Sequence, residues 1–153
     1  MKSATIEKRS EANQLAAVLG LQPKKNLSDL DLVAHVERGF PAKSVEAIIR
    51  HIDPDGHYLQ ISDIIPKSTY HRRTKAKQPL TTDESARLFA LAKVFIELFN
   101  RQYRGRPDLG LMFLIRAHPL LEGRRPIDIA KESTAGADLV LKLLLQADAG
   151  VAV

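Results

Sequence analysis

The clearest chemistry in the sequence lies in a basic block, residues 64–82. This block contains five Lys and Arg and no Asp or Glu, so its charge of +5 equals the net charge of the whole 153-residue chain. Lys and Arg neutralise phosphates, Arg also binds guanine edges, and Ser, Thr and Tyr hydroxyls donate to phosphates. Charge concentrated at one place predicts an anionic partner there.

The order of residues 58–77 is typical of a helix-turn-helix. Four apolar residues predict a short helix that Pro66 closes: Leu59, Ile61, Ile64 and Ile65. Ser68 or Thr69 is the expected cap of a second, basic helix, which in this motif enters the major groove of DNA. The predicted DNA-binding residues are Lys67, Ser68, Thr69, Tyr70, His71, Arg72, Arg73, Lys75 and Lys77. A solvated basic face beside a linker fits the same spacing, and the absence of acids favours nucleic acid.

Motifs for catalysis or metal binding are not found. The sequence has no glycine-rich phosphate loop, no Gly-x-Ser-x-Gly elbow and no His pair at i, i+4 with a Glu, and its five His are scattered. Residues 53–56 read as a turn, because Gly56 comes too early for a calcium loop. The chain has no Cys, which excludes disulfides and thiolate metal sites. We predict no enzyme, no cofactor and no metal site.

Composition places the chain among ordinary globular proteins. Hydrophobic residues make up 44% and charged residues 27%. The N-terminus has no apolar segment typical of a secretory signal, and no apolar run approaches the ~20 residues of a membrane helix. We therefore expect a soluble, cytoplasmic protein.

One long helix, Thr82 to Phe99, is predicted to organise the core. Its apolar residues form two adjacent strips, an arc wide enough for a helix that is covered on two sides. Thr81 or Thr82 is the expected cap, and Phe95 lies at the middle of the buried side. The residues expected to face water are Arg87, Lys93 and Glu97.

Shorter helices are predicted on both sides of this one. Ser28 and Gly39 should bound a helix from Asp29 to Arg38, with Leu32, Val33 and Val36 inward, and Pro41 should open the next helix. Ser133 or Thr134 should cap the last helix, whose expected buried strip is Leu139, Val140, Leu143, Leu144 and Ala147. No strand pattern is found, so the fold class is all-α. We expect a partly mobile N-terminal extension (1–26), a helical region with the helix-turn-helix (27–104) and a C-terminal domain (105–153).

Five segments in order resemble the antitoxins of the Xre/MbcA/ParS type. They are ERGFPAKSVE, IPKSTYHRR, LTTDESARLFALAKVF, HPLLEGRRPIDIA and STAGADLVLKLLLQADAG. The resemblance implies an all-α protein with a helix-turn-helix region and a C-terminal toxin-binding domain. Family members repress their own promoter and block an NAD-depleting RES-domain toxin with their C-terminal segment.

The resemblance also implies which residues meet the toxin. The last helix carries a second Leu strip, and we expect the chain end after it to plug the NAD site of the toxin. The predicted toxin-binding residues are Leu141, Leu145, Asp148, Gly150, Val151, Ala152 and Val153. The expected partners are the toxin, operator DNA and a second copy in a homodimer. Two other interpretations stay open: a stand-alone helix-turn-helix regulator with a C-terminal dimerisation domain, and a helical interaction protein.

Overall fold

The computed structural model describes residues 11–22 and 24–148, without the side chains of residues 147 and 148. Its described residues form helices and two isolated bridges and no strand, which confirms the all-α prediction. The α-helices are α1 (residues 11–18), α2 (Asp29–Arg38), α3 (Ser44–Ile52), α4 (Lys67–Ala76), α5 (Thr82–Glu97), α6 (Pro107–Ile115), α7 (Pro126–Glu132) and α8 (Thr134–Asp148). Two 3-10 turns, Ile61–Asp63 and Pro119–Leu121, and one π-helical turn, Leu98–Gln102, complete the order.

Helix α5 is the centre of the core, as predicted. Thr81 caps it through a reciprocal pair, because Glu84 N donates to Thr81 Oγ at 3.1 Å and Thr81 N donates to Glu84 Oε1 at 2.9 Å. Phe95 is 2% exposed. Glu97, which the pattern predicts to face water, is instead buried, because the π-helical turn continues the covered helix and brings Arg101 Nη1 to 3.4 Å from Glu97 Oε2.

Helices α2 and α3 pack beside α5. Ser28 caps α2 and Gly39 ends it, as predicted. The prediction for Val33 is wrong: it is half exposed, because α2 lies at the edge of the bundle and buries only its Leu32 side fully. Helix α3 begins at Ser44 rather than at Pro41, and Ser44 Oγ donates to the buried carbonyl of Leu19 at 2.6 Å.

Helices α7 and α8 also pack against α5. Ser133 Oγ accepts from Gly136 N at 2.9 Å, which confirms Ser133 as a cap of α8. Val140, Leu143 and Leu144 are buried as predicted. Leu139 is 49% exposed and does not belong to the buried strip, since the contacts of α8 with α5 and α7 use its other side.

A single cluster of buried side chains runs from Ala12 in α1 to Leu144 in α8. Four of its members lie on α1 and one follows directly after it: Ala12, Leu15, Ala16, Val18 and then Leu19. Asn100 Nδ2 also donates to Gln14 Oε1 at 2.9 Å, which joins α1 to the π-helical turn. The division at residues 26 and 104 stays a prediction.

Candidate nucleic-acid interface

A buried carboxylate organises the loop that leads to the basic helix. Asp53 is 3% exposed and accepts from three backbone N–H groups, those of Tyr58 (2.7 Å), Leu59 (2.9 Å) and His57 (3.2 Å). Burial alone raises the pKa of Asp53, but the three donors outweigh it and hold this pKa below its usual value. The predicted turn at residues 53–56 is confirmed, since Gly56 N donates to Asp53 O.

The element before the basic helix is shorter than predicted. Only Ile61–Asp63 is helical, as one 3-10 turn, and Leu59 lies outside it. Asp63 Oδ2 accepts from Gln60 N at 2.8 Å and so closes this turn. The segment does not extend to an α-helix because Pro66 lacks the N–H that a further turn needs. Leu59 and Ile65 are buried in the main core, and they anchor both ends of the segment.

Helix α4 begins earlier than predicted. Its N-cap is Pro66, with no side-chain cap bond, rather than Ser68 or Thr69, because proline fixes the extended backbone that precedes a helix. At its other end Lys77 adopts a left-handed conformation (φ 55°), and its N–H donates to the carbonyls of Arg73 and Thr74. The ten residues of α4 span about 15 Å.

One face of α4 is open to solvent along its whole length. Ser68, His71, Arg72 and Lys75 follow the i, i+3, i+4, i+7 spacing that aligns side chains on one face, and all four are exposed. Lys67 and Lys77 are exposed at the two ends, and Thr69 is half-buried beside the face. Four donors and cations on one exposed helix face match what a recognition helix presents to a DNA groove.

Two predicted DNA-binding residues point into the protein instead. Tyr70 is 6% exposed, and burial first, then the neighbouring Glu46 carboxylate, raises its pKa. Arg73 Nη2 lies 3.3 Å from Glu84 Oε1, and Arg73 Nη1 donates to Pro79 O at 3.3 Å. The side chains of Arg73 and Glu84 are only 17% and 13% exposed. Tyr70 and Arg73 therefore fix α4 against α3 and α5.

An ion network ties the 3-10 turn to the C-terminal half. Lys131 Nζ on α7 lies 3.7 Å from Asp63 Oδ1 and 3.4 Å from Asp128 Oδ1. Arg125 binds both oxygens of Asp128, at 2.7 and 2.8 Å, and this pair holds the pKa of Asp128 below its usual value. The segment that enters α4 is thus held by a residue about 68 positions later in the chain.

The predicted toxin-binding residues are described only in part. Leu141 is half-buried against the core, and Leu145 is 44% exposed on α8. Asp148 is the last residue of α8, and its side chain lies outside the described residues. Gly150, Val151, Ala152 and Val153 also lie outside them, so the predicted plug stays a prediction.

Residues 11–22 and 24–148 contain no group of three or more His, Cys, Asp or Glu that could hold a metal ion. No described helix has the length and apolar character needed to cross a membrane.

Residues 31–93 match the family model of the antitoxin Xre-like helix-turn-helix domain. The match begins within α2, ends within α5 and contains α3, the first 3-10 turn and the whole of α4. No curated protein matches the chain. The exposed basic helix described above therefore lies inside a domain of a DNA-binding type.

Proposed function

We propose that this chain, which carries an Xre-like antitoxin helix-turn-helix domain, is the DNA-binding antitoxin of a type II toxin–antitoxin pair. In this proposal α4 reads an operator upstream of the gene and the protein represses its own promoter. The C-terminal half binds and blocks an NAD-depleting RES-domain toxin. The observation that carries the DNA-binding part is the exposed, acid-free face of α4 inside the matched domain.

Within this face, Arg72 is the best candidate for a contact to a base edge. It lies at the middle of α4, it is exposed, and the described residues offer it no acidic partner within ion-pair distance. Its guanidinium is thus available for bidentate binding to guanine. His71, Lys75 and Ser68 flank it and would add further base or phosphate contacts.

Replacing Arg72 by Ala tests the DNA-binding part. We expect operator binding to weaken by about 1–3 kcal/mol, the range of one good base contact, with an unchanged melting temperature because the side chain is exposed. Band retardation of the upstream fragment and of an unrelated duplex measures this, with Arg104→Ala as a control at another exposed arginine. Equal binding by the two variants would refute α4 as the reading helix.

The toxin-binding part rests on the segment resemblance and on the outer side of α8. Leu139 and Leu145 leave about half of their side-chain surface uncovered, and Lys142 lies between them along the helix. A contiguous exposed apolar patch marks a protein contact, and a toxin packed on this side would cover both leucines. We propose that the toxin packs on this side and that Asp148 to Val153 enters its NAD site.

Deleting Gly150 to Val153 tests the plug, because these residues follow Leu144, the last core residue in the described part of α8. We expect the truncated protein to keep its melting temperature and its DNA binding while losing inhibition of the toxin. The measurement is NAD consumption by the toxin encoded beside this gene, with full-length and truncated protein. Full inhibition by the truncated form would place the block on the surface of α8.

We further propose a homodimer, since two copies of α4 would bind an operator with two half-sites. Sedimentation equilibrium of the purified protein would show a mass of about twice 17.0 kDa if this is correct. A single-chain mass at all concentrations, with and without operator DNA, would contradict it.

A stand-alone regulator is the second candidate. It is favoured by the extent of the family match, which covers the DNA-binding region and ends at residue 93. Co-expression with the neighbouring reading frame separates the two functions, because only an antitoxin would rescue growth when that frame is expressed.

A further inference from the structure

A groove lies beside the carboxyl end of α4. One wall is formed by residues 39–43, which connect α2 to α3, and the other by residues 73–79, at the end of α4 and after it. The groove has a volume of about 440 Å³ and is open to solvent. Thr74, which lines it, is exposed and directly precedes Lys75 of the exposed α4 face.

Backbone contacts hold the two walls at a fixed separation. Leu80 N donates to Phe40 O at 2.9 Å, and Pro41 forms an isolated bridge with Pro79. Gly39 has a positive φ of 91°, and a Cβ at this position would lie 2.1 Å from Leu80 O. The close approach needs glycine there, so the shape of the groove is built into the fold.

The charge of the groove is positive. Lys43 stands on one wall and Lys77 on the other, both exposed, and neither makes an ion pair within the described residues. Of the described residues that line the groove, none is acidic. Thr74, exposed on the same wall as Lys77, adds a hydroxyl. The terminal carbonyls of Arg73 and Thr74 are occupied by the N–H of Lys77, which limits their repulsion of an anion.

We propose that this groove binds a backbone phosphate of the DNA that α4 reads, with Lys43 and Lys77 as the cations and Thr74 as a hydrogen-bond donor. The inference rests on the proposed function and adds a contact from outside α4. The complementary charge of the groove and its position at the carboxyl end of α4 favour duplex DNA as the occupant. The charge pattern of the sequence does not indicate Lys43 as a DNA-binding residue, because residues 27–63 around it carry a net charge of −4.

A phosphate contact has a signature that a base contact lacks. Each neutralised phosphate contributes about −0.9 to the slope of log K against log salt concentration. Lys43→Ala should therefore make the slope shallower by about 0.9. It should weaken binding about fivefold to tenfold at roughly 0.1 M salt, equally for the upstream fragment and an unrelated duplex of the same length.

The experiment compares Lys43→Ala, Lys142→Ala and Arg72→Ala, measured by fluorescence anisotropy over a salt series. Lys142 is an exposed lysine on α8 and is the matched control. If Lys43→Ala has the same salt slope as Lys142→Ala while Arg72→Ala weakens binding, the proposed phosphate contact in the groove is wrong and the proposed role of α4 stands. A loss confined to the upstream fragment would also overturn the phosphate contact, because it would mark a base contact. If Arg72→Ala and Lys43→Ala both bind as the wild type does, the proposed function of α4 fails as well.

Discussion

Arg73 and Arg72 are neighbours of the same type, yet the structure gives them opposite roles, and this is directly testable. Arg73 is bound on one side by Glu84 Oε1 and on the other by Pro79 O, each at 3.3 Å. Arg72 is exposed on the solvent face of α4. Arg73→Ala should therefore destabilise the fold, and Arg72→Ala should not.

The expected loss for Arg73→Ala lies between two limits. Hydrogen bonds to charged groups contribute about 1.5–3 kcal/mol, whereas breaking a fully buried ion pair costs about 3–5 kcal/mol. The Arg73 and Glu84 side chains keep some solvent contact, which screens the pair. Glu84 also keeps its bond from Thr81 N. We therefore expect about 2 kcal/mol, or roughly 4–8 °C in melting temperature for a chain of this length.

Urea unfolding of the wild type, Arg73→Ala, Glu84→Gln and the double variant measures this coupling. Glu84→Gln keeps a carbonyl oxygen that caps α5 and removes the charge, so Arg73→Ala should cost less in that background. Arg73→Lys should lie between the wild type and Arg73→Ala, because an ammonium cannot reach both acceptors in the same planar geometry. If Arg73→Ala has the same urea midpoint as the wild type but no longer binds DNA, then Arg73 contacts DNA and does not stabilise the fold.

Three further perturbations have defined outcomes. Phe95→Ala should lose roughly 3–5 kcal/mol of unfolding free energy, as expected for a buried Phe. The control Lys93→Ala, on the exposed side of α5, should lose little. Equal urea midpoints for the two variants would show that α5 does not lie at the centre of the core. The folded-state pKa of Asp53 is lowered, so its stabilisation of the fold is present above the ordinary value of 3.8 and is lost as pH falls below it. In Asp53→Asn the urea midpoint should therefore depend less on pH between about pH 5 and about pH 3 than in the wild type. An unaltered pH dependence would contradict this. Lys131 lies on α7, yet Lys131→Met should weaken operator binding, because the substitution removes the ion pair with Asp63. Lys131→Arg should keep part of the binding that Lys131→Met loses. Full binding by Lys131→Met would show that the ion network does not position α4.

Elements with local signals were predictable from the sequence. Ser28 with Asp31, and Thr81 with Glu84, form capping boxes whose residue types and spacing are visible in the chain. Gly39 ends α2 for an equally local reason, its positive φ. The fold class and the central position of α5 follow from such signals and from the apolar periodicity.

The remaining features depend on tertiary packing, and the spacing of apolar residues in the sequence does not show which helices are neighbours. Val33 and Leu139 are apolar, but the side of each helix that is covered depends on where its neighbours lie. The same holds for the candidate site, where Arg72 and Arg73 are equivalent in sequence. Glu84, on the next helix, turns Arg73 inward. Lys43 reaches the site only because residues 39–43 lie against residues 73–79.

The central position of α5 also decides what a piece of this chain could do by itself. The family match ends at Lys93, whereas the buried stripe of α5 continues through Phe95 into Leu98. An excised fragment of residues 31–93 would leave α5 without α8 and Ser44 without its acceptor at Leu19. The homology unit is therefore smaller than the autonomous folding unit. During synthesis on the ribosome, the DNA-reading region would complete its core only after α8 has emerged, so its folding must wait for a helix that lies outside the matched segment.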